Sequence, residues 1–503
     1  MNSPISSNEC PARRRQRSTS ARSQRGHATR CASLDGAAGT LLAGLCTVLL
    51  AACSSALPAV PVVATASPGA SPVMTTPLEG RDGVQPLRES ARRLREVRDE
   101  GRAAQFERHL GLLREAGETL SAGNLVDLLV DGPATFDAMF RDLEAARRRI
   151  LLETYIFEGE HVGRRIADVL LRKRAEGLDV RLIYDSVGSF ATPAAFFDEL
   201  RQAGVAVCEF NPVSPLRRAT GFLSLNHRDH RKVLVIDDRV AFTGGLNVSS
   251  VYSSASFGSR GGRSRPPEED GWRDTHVRIE GPAVREFVRL HGETWRKQGC
   301  EGEAGPLADI DAAAVTPPAP GERLVAVIDS AADEKTSRFY RVLLAAIAGA
   351  TDTIHITMAY FVPDPQLLQA LKDAAARGVE VVLVLPGRSD SRLVLRAGQS
   401  HYTALLAAGV RIFERQDAFL HAKTAVIDGV WATVGSSNLD WRSFLHNDEL
   451  NAVILGRDFG RSMEDLFAVD LDHADELDSA TWDQRGIGRR LIESFGRLWE
   501  YWL

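Results

Sequence analysis

The chain has 503 residues, is 44% hydrophobic and 25% charged, and carries a net charge of −5. That mix excludes a disordered or fibrous chain and leaves room for two average domains with extensions. The acidic balance argues against a nucleic-acid partner, which calls for a basic excess or patch. It deepens to about −10 once residues 1–52 are set aside, since they hold seven of the 61 Lys and Arg and two of the 66 Asp and Glu.

Residues 1–35 carry those seven arginines and no lysine, and Gly36 to Ala52 are small or apolar, ending Leu50-Ala51-Ala52-Cys53. A basic stretch, a short apolar stretch and a small-residue site form a secretory leader over 1–53. Leu-Ala-Ala-Cys resembles a bacterial lipobox, which would make Cys53 the lipid-modified residue. An uncleaved apolar anchor is the alternative. Both readings tie the body to a membrane, facing the periplasm. Cys10, Cys31 and Cys46 also lie in the leader, so only Cys208, in the apolar run VAVCEF, and Cys300 belong to the body. Cys208 reads first as a buried small hydrophobe. A Cys208–Cys300 disulfide fits an oxidising compartment, but spacing does not decide it.

Residues 54–80, rich in Ala, Pro, Ser and Val, read as a flexible tether. Residues 81–124 are charged with periodic leucines (Leu87, Leu94, Leu110, Leu113), a helical extension packing on the body. From 125 onward strands and helices alternate. Helical patterns at Phe136–Arg148, Gly163–Glu176 and Ala194–Ala203 interleave with β-prone runs at Ile150–Phe157, Val180–Tyr184 and Val205–Phe210. This predicts a largely parallel sheet covered on both faces. The pattern then recurs, with helices at Lys335–Ala350 and Pro365–Arg377 and strands at Ile354–Phe361 and Val379–Leu385. The chain thus divides into two repeated α/β/α halves, 125–300 and 323–475, joined by a linker at 301–322 and followed by an amphipathic, aromatic helix over 476–503. A further insert, 253–270, interrupts the first half alone.

Each half contains His-x-Lys-x-x-x-x-Asp: His230, Lys232 and Asp237 in the first, His421, Lys423 and Asp428 in the second. Seventeen residues after each His stands an Asn, Asn247 or Asn438, at the end of a small-residue turn (Gly244-Gly245-Leu246, Gly435-Ser436-Ser437). A strand puts alternate residues on one face, so each His and Lys point the same way. If the halves pack about a pseudo-two-fold, both pairs converge on one phosphate. One imidazole can attack phosphorus while the other donates to the leaving alkoxide and then deprotonates the acceptor. The lysines supply fixed positive charge, the asparagines further hydrogen bonds, and Gly244, Gly245, Gly435 and Ser436 allow a close backbone approach. The chemistry expects no metal and no cofactor. DTHVRIEG and ELNAVILG align behind the motifs, so Asp274 and Glu449 are the acids expected to orient the rings. Asp237 and Asp428 are counted with the motif set, though their place in the turn suits structure better than catalysis.

Other candidates rank lower. His227, His276, His401 and His446 have no counterpart in the opposite half, and Trp272, Trp295 and Trp441 read as core or rim aromatics. The basic and apolar stretch from Arg217 to Leu223 fits a loop or a lipid contact about equally.

The doubled motif resembles the phospholipase D superfamily from about Leu125 to Asp470. The segments NHRDHRK with GGLN, GWRD, AYFVP and SSNLDWRSFLHNDELN are similar to those of the bacterial cardiolipin synthases. The resemblance implies two α/β/α halves sharing one site, a metal-independent ping-pong transfer through phosphohistidine, His230 as nucleophile and His421 as general acid/base. The expected activity is a phosphatidyltransferase making cardiolipin, with phosphatidylglycerol as donor and acceptor. The alternatives are a phospholipase D releasing phosphatidic acid, a phosphodiesterase or nuclease, and a non-catalytic lipid binder. The expected partners are a phospholipid substrate and a membrane surface, without nucleic acid. The lipobox-like leader and the 253–270 insert depart from the family pattern.

Overall fold

The computed structural model describes residues 71–500 except 214–225, 255, 257–270, 301–314, 333, 335 and 498. The leader with Cys53, most of the tether, most of the 253–270 insert and the Arg217–Leu223 stretch lie outside the described residues. An N-terminal segment supplies β1 (Leu78–Gly80) and β2 (Gly83–Val84), then helices Leu87–Val97 and Ala103–Glu115. The first half contains β3 (Leu120–Val130), β4 (Arg149–Thr154), β5 (Asp179–Asp185), β6 (Ala206–Phe210), β7 (Arg228–Asp229), β8 (Lys232–Ile236), β9 (Val240–Gly244) and β10 (Thr275–Glu280). The second contains β11 (Arg323–Ser330), β12 (Thr353–Met358), β13 (Glu380–Pro386), β14 (Arg411–Arg415), β15 (Lys423–Ile427), β16 (Trp431–Gly435), β17 (Asn447–Leu455) and β18 (Ala474–Glu476).

Pairing makes the repeat explicit. The first sheet runs β3-β10-β9-β8-β4-β5-β6, and the second β11-β17-β16-β15-β12-β13-β14, with β18 added at its edge. Only β4-β5-β6 and β12-β13-β14 are parallel in these orders. The expected largely parallel sheet is therefore mixed, because both motif strands are hairpins, and hairpins join antiparallel neighbours. The runs VLVI and TAVI lack polar alternation because both faces of their strands are buried. Leu234 and Ile236 join the first half's own core. Val233 and Val235 instead join Val426, Val434, Ala452 and Ile454 in a core shared by the two halves.

β3 belongs to both sheets. Residues Leu125–Val130 pair with β10, whereas Ser121, Ala122 and Asn124 pair with β11 across a register shift. Gly123, at φ +96°, lies at the bend. The strand thus begins at Leu120, before the expected boundary at 125, and it is from Leu125 that it pairs within the first sheet. The tether also ends earlier than 80: residues 72–75 form a helical turn, and β1 pairs with β3. Val73, Leu94, Phe106, Leu110 and Leu113 sit in the second half's core, so the N-terminal helices are docked on the body. Of the linker, Val315 is buried, and its carbonyl accepts from Arg285 Nε at 3.1 Å. Cys208 and Cys300 form a disulfide.

Candidate active site

The motif strands end in matching tight turns. Asp237 and Asp238 have φ of 53° and 54°, and Asp428 and Gly429 have 53° and 62°. Two successive left-handed residues suit the right-handed twist of a two-residue hairpin, and Asp tolerates that region. The Asp237 carboxylate accepts from the backbone N–H groups of Arg147, Arg148 and Arg149 at 2.9, 2.7 and 2.9 Å. Asp428 accepts from the backbone of Thr351, Asp352 and Thr353 and from buried His109 Nε2 at 3.0 Å. Both aspartates therefore lie at the far end of their strands, up to about 16 Å from the lysines at ~3.3 Å per residue. This corrects their inclusion in the catalytic set: they anchor the turns.

The histidines stand at the opposite ends of these strands. His230 N–H donates to the Asp448 carbonyl at 2.9 Å, and His421 N–H to the Arg273 carbonyl at 2.7 Å, so each is held by a strand of the other half. The carboxylates cross over in the same way. His230 Nδ1 lies 3.0 Å from both Glu449 oxygens, and His421 Nδ1 lies 2.7 Å from Asp274 Oδ2. With Nδ1 engaged, Nε2 is the ring nitrogen available to the cavity. Glu449 also accepts from Ser436 Oγ at 2.6 Å and Asn447 Nδ2 at 3.1 Å.

Burial governs the protonation of this group. It lowers His230 to about 4 against the pull of Glu449, with the lysine charges pushing the same way. It also lowers His421 to about 4, helped by Lys423 and opposed by Asp274. Burial would raise Asp274 and Glu449, but the partner histidine of each, with a lysine, outweighs it and holds both below the ordinary carboxylate range. Lys232 and Lys423 are buried and lowered to about 7 and about 8, mainly by loss of water. Each ammonium donates to the carbonyl of its own motif histidine. The site thus holds neutral imidazoles beside lysines whose charge burial makes costly, an environment poised for an anion.

A cavity of about 410 Å³ lies between the halves, and His230, His421, Asn247 and Asn438 all line it. Asn247 Oδ1 accepts from the Ile156 N–H at 3.2 Å. The turn residues are placed otherwise. A Cβ on Gly244 would lie 2.4 Å from His276 Nδ1, one on Gly245 2.1 Å from Asp274 Oδ1, and one on Gly435 2.0 Å from Asn451 Oδ1. These glycines make room for the neighbouring strand that carries the acids, and Ser436 bonds Glu449 directly.

Several cavity residues escaped the sequence reading. Tyr155 and Tyr360 meet His230 and His421 edge-on, with ring centroids 5.1 and 6.1 Å apart. They stand one position apart in the repeat, since it is Ile156 and Tyr360 whose carbonyls make the matching bonds to Val248 and Leu439, so aligning the halves does not pair the two rings. Tyr252 Oη lies 3.0 Å from His421 Nδ1 and accepts from Asn247 Nδ2 at 3.4 Å. Ser443 stands at the matching place in the second half, so the repeat gave no pointer to Tyr252. Asp390, Asp440 and Arg442 complete the second half's wall, and burial raises Asp440 to about 7. Trp272 is a wall residue whose ring lies 5.3 Å from that of His421. His227 Nε2 contacts Asp448 Oδ1 at 2.7 Å across the halves, His401 Nε2 lies 3.2 Å from Glu500, and His276 Nδ1 lies 3.4 Å from the Leu246 N–H. Among the described residues no group of three or more His, Cys, Asp or Glu is arranged to hold a metal ion.

Two copies of one α/β unit, closing a single cavity between paired His-Lys motifs, define a phospholipase D-type fold and site. The family model described as "Cardiolipin synthase, PLD-like domain" matches residues 139–255 and 343–471. Cardiolipin synthase of Geobacillus thermodenitrificans (strain NG80-2) is 36% identical over 386 residues, 75% of this chain and 72% of that protein. Cardiolipin synthase 2 of Bacillus anthracis is 34% identical over 409 residues, 79% of this chain and 76% of that protein. In fold, the crystal structure of phosphatidylserine synthase from Haemophilus influenzae Rd KW20 aligns with a TM-score of 0.55 at 14% identity, covering 75% of this chain and 95% of that one. The chain belongs to the cardiolipin synthase family of phospholipase D-type phosphatidyltransferases. Among the described residues no helix is long and apolar enough to cross a membrane.

Proposed function

We propose that the protein makes cardiolipin by moving a phosphatidyl group from one phosphatidylglycerol to a hydroxyl of another, without metal. The observation that carries this is the crossed pair of carboxylate–histidine contacts, which turns two imidazoles onto one cavity above two buried lysines. Nε2 of His230 attacks phosphorus, a P–N bond forms, and the bond to the leaving glycerol oxygen breaks. His421, protonated once the phosphodiester charge is in place, gives that oxygen its proton. It then takes the proton of the acceptor hydroxyl, which attacks phosphorus and releases His230. Lys232 and Lys423 offset charge on the non-bridging oxygens. The two-fold relation of the site makes the His230 and His421 roles exchangeable in geometry, and the family resemblance favours His230 as nucleophile.

The Cys208–Cys300 bond and the basic-apolar leader support a site outside the cytoplasm, at the periplasmic face of a membrane, with Cys53 as lipid anchor. Incubation of the purified protein with labelled phosphatidylglycerol vesicles tests the reaction: cardiolipin plus glycerol is expected. Phosphatidic acid alone would make water the acceptor, and no lipid product would sink the reading. His230→Ala and His421→Ala are each expected to abolish turnover, and a stable phosphoenzyme should be trapped with one of them only.

A further inference from the structure

The helix Ile487–Arg497 is mounted the wrong way round for one that merely packs on a protein core. Its inward side carries Glu493, buried and paired with Arg485 Nε at 3.0 Å, and Gly496, where a Cβ would lie 2.9 Å from the Ala397 backbone nitrogen. The glycine thus seats it on the helix Arg392–Gln399, and the ion pair ties it to the segment just before it. Its outward side carries Leu491, Ile492 and Phe495, 66, 57 and 57% exposed, with Trp499 following at 47%. At about 100° per residue Leu491, Ile492 and Phe495 share an arc of roughly 100°, and the Trp499 ring lies 6.5 Å from that of Phe495. Arg490 and Arg497 are exposed on the far flank of the helix, about 100° and 120° from Leu491.

The helix on which the stripe is seated also reaches the cavity. Ser391 and Val394, at the start of the helix Arg392–Gln399, line the cavity wall, and Leu393 between them is exposed. In the first half the loop after β5 holds the corresponding place. It carries Val187 and Phe190, the latter 81% exposed, and Ser189 Oγ fastens it to the carbonyl of cavity residue Tyr155 at 3.1 Å. Exposed apolar groups therefore flank the cavity from both halves, beyond the carboxyl ends of β5 and β13.

We propose that this face rests on a phospholipid bilayer, with the stripe of Leu491, Ile492, Phe495 and Trp499 entering the acyl boundary and the cavity mouth held at headgroup height. The proposal rests on the lipid reading above and adds a second membrane contact, separate from the N-terminal leader. Trp499 suits the headgroup level, where an aromatic ring with one polar edge is at home. A second copy of the chain would cover the stripe but would leave Phe190, on the other side of the cavity, unexplained.

The test uses the full-length protein with phosphatidylglycerol vesicles brominated in the acyl chains. No tryptophan precedes Trp272, so an N-terminal anchor contributes nothing to quenching. Lipid bromine should quench part of the tryptophan fluorescence, and Trp499→Phe should remove part of that quenching. Leu491→Ser with Phe495→Ser should slow turnover of vesicle lipid roughly tenfold or more by removing apolar area from the contact. Turnover of a monomeric short-chain phosphatidylglycerol should hold. Phe190→Ser repeats the comparison from the other half, should the double variant fold poorly. Unchanged quenching in Trp499→Phe, or equal losses on vesicle and monomeric substrate, would overturn the proposal. A dimer-to-monomer shift in the double variant with vesicle quenching intact would give the stripe to a second copy. If the wild-type protein turns over no lipid in either form, the substrate reading fails, and the quenching still decides the surface.

Discussion

Glu449 serves the histidine of the first motif and Asp274 that of the second, so each ring depends on an acid that follows the other motif. Replacing Glu449 by Gln keeps the size and removes the charge that raises His230. The expected outcome is a fall in kcat of roughly 10² to 10⁴-fold, with the acid limb of the pH–rate profile moving to lower pH. Asp274→Asn should lower His421 in the same way, and because His421 acts first as an acid it is the alkaline limb that should move to lower pH. The lysines make a different prediction. Burial lowers Lys232 to about 7, far below its unfolded value, so between about 7 and 10.5 the unfolded chain binds more protons and stability rises with pH. Below about 7 the full cost of the buried charge is present. Lys232→Met should therefore abolish turnover yet raise the Tm of the lipid-free protein near pH 6, with the gain shrinking toward pH 10. The motif residues were legible because they recur at one spacing in both halves. Which acid serves which ring was not, since the exchange between halves is a tertiary fact that no local spacing carries. Tyr252 was hidden for a related reason, standing where the second half has Ser443.

The hairpin that presents each motif is tied down at its far end by an aspartate. Asp428→Ala removes the acceptor for three backbone N–H groups and buried His109, at about 2–4 kcal/mol. Urea unfolding should show that loss while kcat per folded molecule stays within about twofold, the reverse of what a catalytic aspartate would give. The strands themselves were legible to within a few residues, for instance Ile354–Phe361 expected against Thr353–Met358 observed. Their direction was not. A strand buried on both faces reads as an unbroken apolar run whether its neighbours are parallel or antiparallel, and VLVI is buried by two cores at once. The N-terminal extension was recognisable as amphipathic helix. Its link to the turn of the second motif, through His109, involves a residue 319 positions away from its partner.

Across the body the Cys208–Cys300 bond closes a loop of 92 residues in the first half. Chain entropy puts its contribution at about 4.6 kcal/mol. Reductant should lower the Tm of the wild-type protein and leave a Cys208→Ser, Cys300→Ser variant unchanged. The duplication was plain in the sequence, but the strand that joins its products was not, because Leu120–Val130 bends at Gly123 from one sheet into the other. That bend decides how a lipid can come and go. Jaws joined by a linker could swing apart to admit two bulky substrates, but halves that share a hydrogen-bonded strand cannot do so without tearing the ladder. Exchange is then left to the rim, and the slow event becomes lifting a lipid from among its neighbours. Turnover should accordingly follow the fluidity of the bilayer, rising sharply as the acyl chains melt, while the protein itself stays rigid.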